Sequence, residues 1–277
     1  MKKITCVVDN TVQRSSPFWG EHGLAIWIET DQGCALFDTG QSGVVLSHNL
    51  EALGLHLQDM NALALSHAHY DHTGGLGVVL SQNPDLPIYA NADFLRPRYS
   101  LRKSDYKPIG LSIPHEELTQ QADLHLSDSS IELLPGLWTT GEIGDRPEPE
   151  GRSPHHLIRA DSGWQPDTYR DDMSLVLEVR DGLVVIFGCC HAGMLNTLAH
   201  VKRNFQRPII AVLGGTHLVT ADEAYLEHVV RVLRENYDLH YIYLNHCTGE
   251  RAYVVMVNSF GDRVKPCPVG TILTFNP

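Results

Sequence analysis

The chain has 277 residues, 43% of them hydrophobic and 19% charged, the balance of a folded protein with a sizeable core rather than a disordered or fibrous one. Its 33 acidic and 21 basic residues leave a formal net charge of -12 with histidine neutral, which counts against a nucleic-acid backbone or an anionic membrane as the main partner. No run approaches the roughly 18 apolar residues of a membrane span, no signal-peptide core follows Met1-Lys2-Lys3, and the six cysteines form no Cys-x-x-Cys, so the reducing cytoplasm is the expected compartment.

In chain order, residues 4–8, 23–29 and 34–37 read as strands, the last two joined by a turn at Asp31-Gln32-Gly33. The third ends in Asp38-Thr39-Gly40, where Asp38 either caps the turn or supports a site. Leu46, Leu50 and Leu53 then fall at helical spacing with Ser42 as N-cap. The apolar run 62–65 reads as a buried strand leading into Ser66-His67-Ala68-His69-Tyr70-Asp71-His72-Thr73-Gly74-Gly75. A helix over about 75–82, stopped by Asn83-Pro84, and a short strand at 87–90 follow. From Asn91 to Asp171 prolines interrupt every pattern, and the stretch reads as an insertion or cap. Its basic cluster, Arg96, Arg98, Arg102, Lys103 and Lys107, is either a solvated loop or a set of cations that meets an anionic substrate such as a phosphate or carboxylate. Within it, 137–142 closes a strand-like run at Glu142.

Regular structure returns at 174–179 and, after an Asp181-Gly182 turn, at 183–187. The second of these strands ends in Gly188-Cys189-Cys190-His191-Ala192-Gly193 and a helix to about Phe205. A strand at 208–213 ends in Gly214-Gly215-Thr216-His217. Thr220 and Glu223 read as a capping box for a helix carrying Leu226, Val229, Val230 and Leu233. A strand at 240–244 ends in Asn245-His246-Cys247-Thr248-Gly249, and a helix (250–260) and a terminal strand (271–275) complete the chain.

Three histidines and an aspartate within residues 67–72 are the chemical centre. In extended backbone His67 and His69 point the same way, while Asp71 and His72 turn into the next element and reach a second point nearby. Neutral imidazoles and a carboxylate are ligands for zinc, with manganese or iron as alternatives; a loop of solvated histidines or a phosphate-binding turn are the competing readings. Strand after strand then ends in a polar tip: Asp38, His67 and His69, Glu142, Cys189 and His191, His217, His246. In layered α/β folds sites gather at the carboxyl ends of strands. His191 and His246 are therefore further candidate ligands. His217 stands open between ligand, substrate contact and structural residue, and Glu142 between ligand, nearby base and neither. Cys189 and Cys190 can each be a small buried apolar residue, and His22 is a candidate for the pocket rim.

The pattern His-x-His-x-Asp-His, after an apolar strand and before Gly-Gly, resembles the signature of the metallo-β-lactamase superfamily at His67, His69, Asp71 and His72. The resemblance implies an α/β fold, a four-layer αββα sandwich with metals at one edge, here one domain over 1–277 with a proline-rich insertion at about 91–171 near the active site. It implies two ions, one held by His67, His69 and His191, the other by Asp71, His72 and His246, with Asp38 steadying the histidines from behind. Two places depart from the family pattern. Glu142 stands where a histidine usually follows Thr-x-Gly, and Gly188-Cys189 replaces Gly-Asp, so that Cys189 or Cys190 would take the place of a bridging aspartate. Gly-Cys-Cys-His-Ala-Gly, Gly-Gly-Thr-His-Leu and Asn-His-Cys-Thr-Gly together resemble the branch labelled dihydropterin ribofuranosylaminobenzene phosphate synthase, or simply metal-dependent hydrolase.

The expected function is a dinuclear metal-dependent hydrolase of a small-molecule ester, lactone, thioester or phosphate ester. Bound cations bring the pKa of water from 15.7 toward roughly 7. Asp71, Asp38 and His217 are the expected catalytic groups, and Arg98, Arg102, Lys103 and His22 the expected substrate contacts. The alternatives are a pterin-phosphate synthase and a non-catalytic, metal-containing ligand-binding protein, because a fold does not fix a reaction.

Overall fold

The computed structural model describes all 277 residues. Two seven-stranded sheets carry the architecture. From edge to edge the first runs Ile272–Phe275, Lys2–Val8, Ala25–Thr30, Gly33–Phe37, Ala62–Ala64, Pro87–Ala90 and Asp123–Leu126. The second runs Val264–Pro266, Tyr241–Leu244, Ile209–Gly214, Gly182–Phe187, Leu175–Val179, Leu137–Thr139 and Glu132–Leu134. Each is antiparallel through its hairpins and parallel where helices cross over.

Alternation of side chains sorts each strand between two cores. Ile26 and Ile28 face inward and meet Leu175, Leu177, Val184 and Ile186 of the opposite sheet, whereas Ala25 and Trp27 face outward under the helices Gly43–Leu53 and Leu76–Gln82. Leu183, Val185 and Phe187 point the other way, under the helices Met194–Phe205, Glu223–Asn236 and Glu250–Phe260. The result is the αββα sandwich. Because both faces of each sheet are covered, the central strands read as unbroken apolar runs. Each fully buried aliphatic or aromatic side chain contributes roughly 1.5–3 kcal/mol.

Ser42 caps its helix, its Oγ accepting from Val45 N at 3.3 Å. The Thr220 cap is corrected: Thr220 closes a single turn (Leu218–Thr220), Ala221 is extended, and Asp222 caps the helix by accepting from Tyr225 N at 2.8 Å.

Residues 91–171 divide among three places. Arg98–Arg102, Asp105–Pro108, His156–Ala160 and Gly163–Pro166 form a separate antiparallel sheet. Asp123–Leu126 extends the first large sheet, and Glu132–Leu134 with Leu137–Thr139 completes the second. No helix is long and apolar enough to cross a membrane.

Candidate metal centre

The polar strand ends converge on a cleft of about 180 Å³ lined by His22, His69, Tyr70, Asp71, Arg102, Ile109, His156, Cys189, His191, His217, His246 and Cys247. The first sheet delivers His67, His69, Asp71 and His72 from the loop after Ala62–Ala64 and the short helix Tyr70–Thr73. The second delivers Cys189 and His191, then His217, then His246 and Cys247, each after a successive strand. The turns that aim these side chains are strained. Of eight non-glycine residues with positive φ, five lie here: Asp38 (61°), Tyr169 (47°), Cys190 (58°), His217 (47°) and His246 (50°). Such conformations cost of order 1–3 kcal/mol each and persist where the surroundings impose them. Close packing demands glycine at two points. A Cβ on Gly188 would run into the Ser66 side chain, and one on Gly215 would lie 2.7 Å from Cys247 Sγ.

Hydrogen bonds fix the imidazole tautomers. Asp38, fully buried, accepts from Ser66 N (2.7 Å), Ser66 Oγ (2.7 Å) and His72 Nδ1 (2.6 Å). With one proton held on Nδ1, His72 turns Nε2 outward and offers its lone pair once an ion displaces the second proton. His246 Nδ1 donates to Asn10 Oδ1 at 3.1 Å, so its Nε2 also carries a lone pair, and the two Nε2 atoms stand only 3.2 Å apart. Two ring nitrogens at that distance need a cation between them, either a proton on His72 Nε2 that His246 accepts or a metal ion that displaces it. Asp71 Oδ2 completes the group, 3.6 Å from His72 Nε2 and 3.5 Å from His246 Nε2. Ligands about 2.0–2.1 Å from a tetrahedral zinc stand about 3.3 Å from one another, so this set fits an ion.

A second group adjoins it. Ser66 Oγ, having spent its proton on Asp38, accepts from His67 Nδ1 at 2.8 Å, which frees His67 Nε2; His69 Nδ1 lies 3.0 Å from that nitrogen. His191 Nδ1 donates to Gly151 O at 2.8 Å, and its buried Nε2 has no partner. Cys189 Sγ lies within 4.8 Å of the ligand atoms of His67 and His191, and equally of those of His72 and His246, at 3.2 Å from His72 Nε2. It is the one side chain shared by both groups.

Burial, then mutual repulsion among the rings, holds His67, His69, His191 and His246 well below the usual histidine pKa, so all four are neutral and able to ligate at pH 7. For His72 burial pulls the same way, but Asp38 and Asp71 outweigh it and raise the ring to about 9, so in the metal-free chain Nε2 carries a proton that a bound ion would displace. Burial pushes the Cys189 thiol well up; it opposes ionisation of Cys247 too, but hydrogen bonds from Cys189 and His217 bring that thiol well down.

Other expected site residues divide. Cys190 turns into the outer core beside Met194 and Leu198, the apolar role, and leaves the cleft to Cys189. Glu142 lies outside the cleft, its carboxylate 3.1 Å from Arg170 Nε, because Gly141 (φ 68°) and the bond from Glu142 N to Asp128 O turn it toward that arginine. Arg98 does not reach the cleft either. Its fully buried guanidinium pairs with Asp93 (3.3 Å), Asp167 (3.2 Å) and Asp171 (2.7 Å). Lys103 is exposed at a left-handed turn and does not line the cleft, whereas Arg102 does. His22 sits at the rim, half exposed, with Nε2 3.2 Å from Asp71 Oδ2. His217 lies over His191 with ring centroids 4.3 Å apart, and its backbone N donates to Cys247 Sγ at 3.3 Å.

Sequence reasoning missed several members. Cys247 follows His246 directly, and Asp9-Asn10 ends the first strand, where Asp9 accepts from His246 N at 2.8 Å; the strand-end regularity reaches both. His156 and Tyr169 lie in the proline-rich stretch, which carries no periodic signal. Tyr169 stacks on His191 at 4.1 Å and is bonded to His156 Nδ1 at 2.8 Å.

Histidine, aspartate and cysteine side chains gathered at the strand ends of an αββα sandwich define a metal-site protein. The model of the metallo-beta-lactamase superfamily matches residues 19–164, and the chain belongs to that superfamily. Over 99% of its length it is 27% identical to the 7,8-dihydropterin-6-methyl-4-(beta-D-ribofuranosyl)-aminobenzene-5'-phosphate synthase of Methanocaldococcus jannaschii, of which it covers 96%. It is 30% identical over 90% of its length to the uncharacterized protein MJ0448 of the same organism, covering 91% of it. Among solved structures, Tm1679, a metal-dependent hydrolase of the beta-lactamase superfamily, shares the fold at a TM-score of 0.86 over 100% of both chains, with 24% identity. A diphosphatase from the PhnP family shares it at 0.60, with 12% identity over 100% of this chain and 98% of that one.

Proposed function

We propose that this chain is a dinuclear metal-dependent hydrolase, loaded with zinc in preference to manganese or iron, that acts on a small anionic ester. The observation that carries the reading is the convergence of His72 Nε2, His246 Nε2 and Asp71 Oδ2 within 3.2–3.6 Å of one another, with both Nδ1 protons committed elsewhere. His67, His69, His191 and Cys189 would hold one ion; Asp71, His72, His246 and Cys189 the other. Two such ions, when bound, would supply a hydroxide nucleophile at neutral pH and an electrophile for the oxygen that gains charge.

The chain's own residues do the rest. Asp71, 3.6 Å from His72 Nε2 and 3.5 Å from His246 Nε2, is placed to orient the nucleophile and accept its hydrogen bond. His22, 3.2 Å from Asp71 and half exposed, can pass a proton between the cleft and solvent. His217 and His156 border the cleft where a leaving group would emerge, and Arg102 is the one arginine or lysine among the cleft-lining residues, placed to pair with a phosphate or carboxylate. Six free cysteines suit a reducing cytoplasm.

A panel of phosphomonoesters, phosphodiesters, lactones and thioesters, tested with metal-replete wild type and with His246→Ala, examines the reading. Turnover of one class, lost in the variant together with bound metal, is expected; no turnover by a fully loaded protein counts for a non-catalytic ligand-binding role. The full-length similarity to a pterin-phosphate synthase supports a second reading, in which the same centre forms rather than cleaves a bond. Product formation from a ribofuranosylaminobenzene phosphate and a dihydropterin that bears a leaving group on its 6-methyl carbon, with release of that group and a proton and without hydrolysis of the panel, would favour it.

A further inference from the structure

The loops that carry His67, His69 and His191 come from different sheets, and the hydrogen bonds that orient the imidazole rings do not by themselves fix the gap between those loops. A short segment of the chain spans that gap. We infer that the consecutive carboxylates Asp171 and Asp172 form a two-pronged brace that sets the spacing of the first ion's ligands. Asp171 Oδ2 accepts from Ala68 N, the amide between His67 and His69, at 2.8 Å. Asp172 Oδ2 accepts from Ala192 N, the amide next to His191, at 2.9 Å. Neighbouring residues lie about 3.8 Å apart along the chain, so two adjacent aspartates that bond to two different loops hold those loops at a short, fixed separation.

The brace is itself held. Met173 N donates to Ser66 O at 3.0 Å, and Ser174 exchanges hydrogen bonds with Thr140. Both aspartates are buried, with 0% and 1% of their surfaces exposed. Two adjacent buried carboxylates are costly, and burial pushes their pKa values up to about 7 and about 6. The Arg98 guanidinium, 2.7 Å from Asp171, offsets part of that cost. The sheet that bears Arg98 also brings Arg102 and His156 to the cleft. The second ion's ligands are supported elsewhere, His72 by Asp38 and His246 by Asp9 and Asn10. Both prongs end on amides that adjoin ligands of the first ion, His67 and His69 on one side and His191 on the other, so the brace acts most directly on that ion.

This inference rests on the dinuclear reading, and one titration separates the two. Metal-free protein is titrated with cobalt(II) and with zinc against a chromophoric chelator, after circular dichroism and melting show that each variant is folded. Asp172→Ala and Asp171→Ala are expected to weaken the first ion roughly tenfold to a hundredfold and to leave the second within about twofold of wild type. Asp172→Asn keeps the acceptor oxygen and the geometry but loses the charge; it is expected to retain both ions. Asp172→Glu keeps the charge but lengthens the prong; it is expected to lose the first. The Asn and Glu pair carries the test should an alanine variant not fold. Folded variants that all hold both ions like wild type, or that lose both in parallel, overturn the brace alone. Wild-type protein that takes up fewer than two ions overturns the dinuclear reading and the brace with it.

Discussion

Replacing Asp38 by asparagine tests the tautomer argument on which the second ion depends. Asp38 accepts three hydrogen bonds in a fully buried position, from Ser66 N, Ser66 Oγ and His72 Nδ1. The Ser66 amide can only donate, so the asparagine oxygen must face it, and the new NH2 group faces His72 Nδ1. That ring must then move its proton to Nε2, where it meets the His246 lone pair 3.2 Å away and closes the space for a cation. Restoring the ligating tautomer costs one charge-assisted hydrogen bond, about 1.5–3 kcal/mol, equivalent to roughly a tenfold to hundredfold loss of affinity. The loss of a partner behind a ligating histidine is generally of that size. Elemental analysis with competitive chelator titration would read it: one tight and one weak ion are expected in Asp38→Asn, against two tight ions in the wild type. Two ions held by the variant as tightly as by wild type would refute the tautomer argument.

Further outcomes follow from the same geometry. With cobalt(II) in the centre, a near-ultraviolet thiolate-to-metal band is expected in wild type and in Cys190→Ser and is expected to vanish in Cys189→Ser; a band that survives in Cys189→Ser would remove that thiol from the centre. Arg102→Glu should raise KM for an anionic substrate about tenfold or more, the worth of one charge-assisted hydrogen bond, with little change for Lys103→Glu; equal effects would show a diffuse field rather than a contact. Arg98→Met leaves Asp167 and Asp171 buried without their cation and should cost about 3–5 kcal/mol in urea unfolding. A change under 1 kcal/mol would mean that the carboxylates are neutral in the folded protein.

Much of the centre was legible because its signal is local. His67, His69, Asp71 and His72 lie within one turn, and the strand before them fixes their direction. His191 and His246 were found by a topological regularity, the polar tip at each strand's end, which needs only a correct strand assignment. Cys189 and Cys190 could not be separated from sequence, because the choice depends on the positive φ of Cys190, which turns its thiol into the apolar layer. Arg98 and Arg102 lie on one face of one strand, and only the depth of its start, under Asp167 and Asp171, makes the first a buried counter-ion and the second a cleft residue. Apart from the run ending at Glu142, the proline-rich stretch hid strands of three sheets because strands of three to five residues carry too few alternations to register. Asp171 and Asp172 gave no signal at all, since their partners are backbone amides far away in sequence. Glu142 was drawn in by its place after Thr-x-Gly, which says nothing about where a positive-φ glycine sends the next side chain.

The central claim is that two cations share Cys189 between two sets of ligands contributed by both sheets. Anomalous scattering from crystals of protein purified without chelator, with metal content measured on the same preparation, tests it most directly. The account predicts two peaks, one among His67, His69 and His191, the other among Asp71, His72 and His246, with Cys189 Sγ between them. A fully folded protein with no peak in the cleft, or with its ions bound elsewhere, would contradict it.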